Sequence, residues 1–213
     1  MQGRIPGPYP QGLTVFETMR READGRIALW PRHLARLRRG CAAVGFPLDP
    51  AATEAALSEL PPGTVLRTRL AVDAAGRVTV TSAPLPPNPP RWRVCLSPLR
   101  LDARDPWLSI KSSHRPVYDA ARAALADGMD EALLLNAEGA LCEGSITSVF
   151  LRREGVLLTP PLSCGLLPGV LRESLLQSGR AQEAVLYPRD LKDGELFCGN
   201  ALRGLIPADL IDA

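Results

Sequence analysis

The sequence predicts a protein of two α+β domains, and three observations lead there. Between Thr81 and Trp92 the chain reads TSAPLPPNPPRW, with five prolines in the seven residues from Pro84 to Pro90. Proline removes backbone donors and stiffens the chain, so this stretch reads as an interdomain linker. On both sides of it, strand-like segments alternate with amphipathic segments of helical spacing. The third observation is size: 213 residues, 46% apolar and 23% charged, suffice for one large domain or two small ones and are too apolar for a disordered chain. The expected division is 1–86, a linker at 87–92, and 93–213. Two such domains invite a ligand into the cleft between them.

Element by element, LTVFETMRR is strand-like, with Val15 and Phe16 as β-formers, and Gly25 in ADGRIALW marks a turn into a second strand. PRHLARLRRGCAAVGF reads as an amphipathic helix, with Pro31 at its start and Gly45 near its end. DPAATEAALSEL is a second helix, and TVLRTRLAVD pairs with RVTVTSA around the Ala75-Gly76 turn. Past the linker, RWRVCLSP is a strand and SHRPVYDAARAALADG a helix closed by Gly128. Residues 131–160 read as three strands joined by turns at Glu138-Gly139 and Glu154-Gly155. LPGVLRESLLQSG is a helix that opens at Pro168 and Gly169.

Composition narrows the function classes. The net charge is +2, and the basic residues are interleaved with 23 acids while aromatics make up only 5%. Nucleic acid as a partner would call for a larger basic surplus and exposed aromatics. No apolar run reaches the ~18–20 residues that cross a bilayer, and the opening MQGRIPGPYPQG has no hydrophobic core of a signal peptide. Five scattered cysteines without a C-x-x-C argue against a disulfide framework or a zinc site and for a reducing cytoplasm. With only His33 and His114 available, no metal cluster is expected. Of the 25 basic residues, Lys111 and Lys192 alone are lysine, so each merits its own question.

Lys111, in LSIKSSHR, lies just before a helix. It is either a solvated lysine or a desolvated one with a lowered pKa, fit to form a Schiff base. Lys192 stands in a polar turn and is expected to be exposed. Glu143 follows the apolar pair Leu141-Cys142; it faces a site, or it is a strand-edge turn residue. Gly169 and Val170 open a helix whose free N–H groups and positive dipole end suit a phosphate. Gly199-Asn200-Ala201 offers a second turn with donors.

The order of these pieces is more specific than any one of them. It runs F-E-T-M-R (16–20), H-L-A-R-L (33–37), Lys111, D-E-A-L-L-L-N-A-E-G-A-L-C-E-G-S-I-T-S-V-F (130–150), L-L-T-P (157–160), L-L-P-G-V-L-R (166–172) and N-A-L-R-G-L-I-P (200–207). This series resembles the class IV pyridoxal-phosphate enzymes: branched-chain aminotransferases, D-amino-acid transaminases and aminodeoxychorismate lyases. The likeness covers nearly the whole chain. It implies fold type IV, with a small N-terminal α/β sandwich-like domain, a larger C-terminal pseudo-barrel domain carrying the cofactor lysine, pyridoxal 5'-phosphate between them, and a homodimer. Position by position, it makes Lys111 the covalent anchor and proton shuttle, and Glu143 the partner of the pyridine nitrogen. Arg36 would bind the phosphate, together with Gly169, Val170, Asn200 and Ala201, while Arg32, Arg38 and Arg39 stay on a solvated helix face.

Within the family, Thr18 in F-E-T discriminates: branched-chain aminotransferases look like F-E-G there, whereas aminodeoxychorismate lyases carry threonine. A hydroxyl can relay a proton to a leaving group; equally, threonine is a good strand residue. Arg69 and Arg203 are candidates for meeting substrate carboxylates, Arg69 being alternatively a strand-surface charge. The resemblance therefore implies a lyase that converts 4-amino-4-deoxychorismate, a small-molecule amino substrate, to 4-aminobenzoate and pyruvate. A class IV aminotransferase is the second reading, and a non-catalytic relative acting as a binding protein the third. Three features depart from the family pattern. Ser148 stands where asparagine is usual, Pro116 replaces the tyrosine that aminotransferases place five residues past the lysine (Tyr118 is out of phase), and the approach to F-E-T lacks the usual first strand.

Overall fold

The chain divides at Pro87–Asn88, inside the proline-rich stretch, but it does not stay divided by sequence order. One unit comprises Met1–Pro87 and Ser109–His114, the other Asn88–Leu108 and Arg115–Ala213. Lys111 thus belongs to the first unit, where sequence order alone assigns it to the C-terminal domain. The computed structural model describes residues 4–211; residues 1–3, where the stretch read as lacking a signal peptide begins, and 212–213 lie outside the described residues.

In the first unit, strand β1 (Val15–Arg21) is followed by helix α1 (Trp30–Val44). The expected second strand near Ile27 is absent: Arg21 and Ile27 share a single bridge, and Leu29, at φ 60°, turns the chain straight into the helix. Pro31 sits in the first turn, where no donor is needed, and Gly45 at φ 71° ends the helix with its N–H on the carbonyls of the last turn. Helix α2 (Pro50–Ser58) is capped by the Asp49 carboxylate, which accepts from the Ala51 N–H. Strands β2 (Leu66–Val72) and β3 (Val78–Pro84) complete an antiparallel sheet of order β1-β2-β3. The α1 face of this sheet carries Val15, Glu17 and Met19 beside Val72, Leu70 and Thr68, all buried. Helix and strand approach closely: a Cβ on Gly40 would stand 2.8 Å from Val15 Cγ1.

The second unit is built on β4 (Trp92–Leu101), α3 (Pro116–Ala123), β5 (Glu131–Asn136), β6 (Leu141–Gly144), β7 (Ser148–Arg153), β8 (Val156–Thr159), α4 (Val170–Gln177), β9 (Gln182–Glu183), β10 (Glu195–Asn200) and β11 (Gly204–Leu210). The strands form one curled, half-barrel sheet of order β6-β5-β4-β11-β10-β7-β8-β9. Its β4–β5, β4–β11 and β8–β9 pairs are parallel and the rest antiparallel. Three expectations shift here. Residues 131–160 make four strands rather than three, because the chain breaks pairing at 145–147. Helix α3 starts only at Pro116 and ends at Ala123, so Gly128 closes the turn after it rather than the helix. The C-terminal stretch, unassigned from sequence, is the hairpin β10–β11.

Alternation along the strands packs both faces of this sheet. Leu133 and Leu135 of β5 join Val149 and Leu151 of β7 in one core, whereas Ala132 and Leu134 face a second core against α3. Phe150 and its cross-strand partner Phe197 point the other way, into a third cluster with Leu175 of α4. No helix among the described residues is long and apolar enough to cross a membrane. All five cysteines are free thiols.

Candidate active site

The candidate residues form two groups, one in each unit. In the first unit, residues 111–113 run along the free edge of β1: the Phe16 N–H donates to the Lys111 carbonyl, the Ser113 N–H to Thr14, and Val15 faces Ser112 in a bridge. Side chains alternate, so Lys111 emerges on the face of Phe16 and Thr18, opposite that of Val15 and Glu17. Its Nζ lies 4.9 Å from the Phe16 ring centroid, and the guanidinium carbon of Arg69 lies 3.4 Å from the same centroid. Both distances are within cation–π range. Arg69 is also the direct cross-strand partner of Thr18. Lys111, Phe16, Thr18 and Arg69 therefore share one surface of the small sheet, and the three polar members of the set are half-buried. Lys192, in contrast, is exposed as expected.

Behind that surface, on the α1 side, Glu17 is fully buried. Its Oε1 accepts from Arg36 Nε at 2.8 Å; its Oε2 accepts from Arg36 Nη2 at 2.6 Å and from His33 Nδ1 at 2.7 Å. Burial by itself would raise the Glu17 pKa, but the charge and hydrogen bonds of Arg36, with His33, bring it down to about 2. An ionised carboxylate only accepts, so His33 Nδ1 carries the proton in that bond; His33 Nε2 is buried and has no hydrogen-bond partner among the described residues. Arg36 is itself 6% exposed. It has left the solvated face on which exposed Arg38 and Arg39 and half-buried Arg32 remain.

In the second unit, Glu143 is buried on β6, and its Oε1 accepts from the Tyr118 hydroxyl at 2.6 Å and from the Leu167 N–H at 2.8 Å. Burial first, and then the Glu143 carboxylate, pushes the Tyr118 phenol well above its ordinary pKa, so Tyr118 remains a donor. Leu167 lies two residues before Gly169, the residue at which α4 begins without a side-chain cap. Ser148 closes in on that glycine, since a Cβ there would collide with the Ser148 hydroxyl. Gly199 is paired with Ser148 across β7–β10. Next to it Asn200 organises the hairpin turn: its Oδ1 accepts from the N–H groups of Leu202 and Arg203, and its Nδ2 donates to the Ile146 carbonyl at 3.2 Å. Ala201 stands inside this turn, and Arg203 donates to Asn88 Oδ1 at 2.8 Å.

The break at 145–147 has its own carboxylate. Glu131, buried at the start of β5, accepts from the N–H groups of Ser145 (2.9 Å) and Ile146 (3.1 Å), from Thr147 Oγ1 (2.8 Å) and from the Ser145 hydroxyl. It thus supplies an acceptor to the Ile146 N–H and shares the Ser145 N–H with the Ala132 carbonyl of β5. The residue-level reading of the sequence assigned no role to Glu131, Glu17 or His33. For Glu17 a signal was there: an acid in an apolar strand, with His33 and Arg36 three residues apart on one helix face.

The match to the amino-transferase class IV family extends over residues 14–211, and the chain belongs to that family. It is accordingly an enzyme of a family that comprises aminotransferases and lyases and uses pyridoxal phosphate. Among its relatives, a Thermotoga maritima protein provisionally named a branched-chain-amino-acid aminotransferase is 29% identical over 211 residues, 91% of this chain and 75% of that one. A Schizosaccharomyces pombe protein provisionally named an aminodeoxychorismate lyase is 28% identical over 182 residues, 81% of this chain and 79% of that one. A crystal structure from Mesorhizobium loti, provisionally described as an amino-acid aminotransferase, superposes with a TM-score of 0.86 at 43% identity, covering 93% of this chain and 100% of that one.

The residues present fit that cofactor by their chemistry. Lys111 supplies an amine beside an aromatic ring, and Glu143 a buried carboxylate held by two donors. An uncapped helix start at Gly169, against which the Ser148 hydroxyl rests, offers N–H donors that suit a phosphate.

Proposed function

We propose that this chain is a pyridoxal-phosphate-dependent lyase, active as a homodimer, that converts 4-amino-4-deoxychorismate to 4-aminobenzoate and pyruvate. The observation that carries the reading is the shared surface of Lys111, Phe16, Thr18 and Arg69: an amine, a hydroxyl and a guanidinium on one face of a rigid sheet. The cofactor, when bound, supplies a conjugated ring able to take up an electron pair from the substrate carbon.

Each residue then has a task set by its chemistry. Lys111 would hold the cofactor covalently, and its Nζ is the base that would take the proton from the amine-bearing carbon of the substrate. Thr18 holds a proton for the oxygen of the departing enolpyruvyl group, a role that glycine cannot fill. Glu143, held by the Tyr118 hydroxyl and the Leu167 N–H, would face the pyridine nitrogen and favour its protonated form. Arg69 takes one substrate carboxylate and Arg203 the other. Arg36, fixed by Glu17, and the backbone at Gly169, Val170, Asn200 and Ala201 hold the phosphate. Loss of the side chain leaves an aromatic ring, which makes the elimination favourable.

The 43% identity to a structure described as an amino-acid aminotransferase favours a second reading, in which the same anchor and carboxylate serve amino-group exchange. One assay separates the two. With 4-amino-4-deoxychorismate and no keto acid, the lyase releases pyruvate over many turnovers. Pyruvate in stoichiometric amount only, or amino-group exchange alone, would reject the lyase. Borohydride reduction of the holoenzyme is expected to label a single lysine peptide, the one containing Lys111.

A further inference from the structure

Tyr118 stands two residues past Pro116, out of phase with the tyrosine usual in aminotransferases, and in the fold it has a neighbour of its own. Pro116 opens α3, where a missing N–H donor costs nothing, and so puts Tyr118 in the first turn of the helix. Its ring packs against the core cluster that includes Leu134 and Cys142. Its hydroxyl reaches across to β6 and donates to Glu143 Oε1 at 2.6 Å. That is the length of an O–H···O bond to a charged acceptor. The Leu167 N–H lands on the same oxygen at 2.8 Å. With two donors on one oxygen, the carboxylate cannot turn without losing both.

Arg115, the residue before α3, braces the tyrosine. Its guanidinium carbon lies 4.9 Å from the Tyr118 ring centroid, and its Nη2 donates to the Ser145 carbonyl, two residues past Glu143. Burial and the Glu143 charge hold the Tyr118 proton in place, while the Arg115 charge acts the other way and makes the hydroxyl a stronger donor. The other titratable groups of this unit that bear on the pair are Cys142 and Cys164, whose thiols burial pushes up, so both stay neutral. Glu143 itself is only 5% exposed. A carboxylate so far out of water stays charged only through what donates to it. Of its two donors Leu167 offers backbone, so Tyr118 is the one whose side chain sets the strength of the hold.

We propose that Tyr118 is a positioning residue: its hydroxyl keeps Glu143 ionised and correctly turned to accept from the pyridine nitrogen. The proposal rests on the reading of the preceding section, in which Glu143 faces that nitrogen, and adds the residue that makes the carboxylate fit for it.

The test uses apoproteins of wild type and Tyr118→Phe, since phenylalanine keeps the ring and its packing and removes the hydroxyl alone. Two ligands are titrated into each: pyridoxal phosphate, and its analogue with a ring C–H in place of the pyridine nitrogen. Loss of one hydrogen bond to a charged group predicts about tenfold weaker binding of pyridoxal phosphate and unchanged binding of the analogue. In a Glu143→Gln background the same substitution should leave the ratio of the two affinities where it was. The Glu143 carboxyl carbon, followed by NMR without ligand, should titrate at higher pH in Tyr118→Phe than in wild type, because the lost donor favoured the charged form. Equal weakening of both ligands would mean that Tyr118 only packs. An unchanged ratio with an unmoved Glu143 titration would mean that the Leu167 N–H suffices. Either result overturns the proposal. Its failure is distinct from failure of the parent reading. If borohydride labels Lys111 but Tyr118→Phe moves neither readout, only the Tyr118 role falls. If the Glu143 titration moves but Lys111 is not labelled, the hold of Tyr118 on Glu143 stands and the enzyme assignment falls.

Discussion

A glutamate with no exposed surface would ordinarily be neutral, because burial penalises its charge. Glu17 is ionised because Arg36 grips both of its oxygens and His33 shares one of them. Its folded pKa, about 2, lies below the ~4.3 of an unfolded glutamate. The unfolded state therefore binds the proton first on acidification. The stabilisation from this group is complete above about pH 4.5 and is lost as the pH falls toward 2. Glu17→Gln removes the charge but keeps the shape, leaving Arg36 buried without its counter-ion. At neutral pH it should cost about 3–5 kcal/mol in urea unfolding. Across the acid window the variant's stability should fall less steeply than that of wild type. A variant as stable as wild type at pH 7 would mean that Arg36 finds another partner.

At the scale of elements, the sheet of the second unit depends on an interruption. β6 and β7 are one strand in the sequence reading, which has turns only at Glu138-Gly139 and Glu154-Gly155; in the structure they part at 145–147, where Glu131 accepts the N–H groups of Ser145 and Ile146 and the Thr147 hydroxyl. The interruption sets where the next strand starts and what it faces. Ser148 begins β7 opposite Gly199, and the Ile146 carbonyl receives Asn200. Glu131→Gln converts an acceptor of five hydrogen bonds, that of the Ala132 N–H included, into a group that must also donate. Hydrogen exchange should then accelerate at the amide of Ile146, and less at that of Ser145, which also donates to the Ala132 carbonyl, while Leu133 and Val149, inside paired strands, keep their protection. Unchanged exchange at 146 would show that pairing elsewhere, not the carboxylate, holds the loop.

The whole molecule consists of two units whose chain crosses over more than once, at Pro87–Asn88, Leu108–Ser109 and His114–Arg115. Lys111 is thereby anchored to β1, while the segments that end at Leu108 and resume at Arg115 belong to the second unit. In native-state exchange the amides of Ser112 and Ser113 should track the β1–β2 amides through a denaturant series rather than those of α3. Grouping with α3 would contradict the assignment of 109–114 to the first unit. The crossing also explains why the lysine's surroundings were hard to read from sequence. LSIKSSHR is a short polar stretch without periodicity, and only its pairing with Thr14–Phe16 gives Lys111 a face and a neighbour in Phe16.

The sequence by itself determined the family, through the order of its motifs, and most of the elements. Hydrophobic period, Pro31, Asp49 and Gly45 act within a few residues of where they stand, and so they mark α1, α2 and the small sheet without reference to the fold. It also named Lys111, Glu143, Gly169 and Asn200 as positions of interest. Only the tertiary structure decided which side chains meet. Glu17 finds Arg36 19 residues away, Glu131 finds Ser145 across 14, and Glu143 finds Tyr118 across 25. No local pattern encodes those separations, because they are set by strand register and helix packing. The same holds for Ser148, which in sequence is a departure from the family's usual asparagine. It comes to lie buried against Gly169, at the start of a helix, only when β7 pairs with β10 and α4 lies over them.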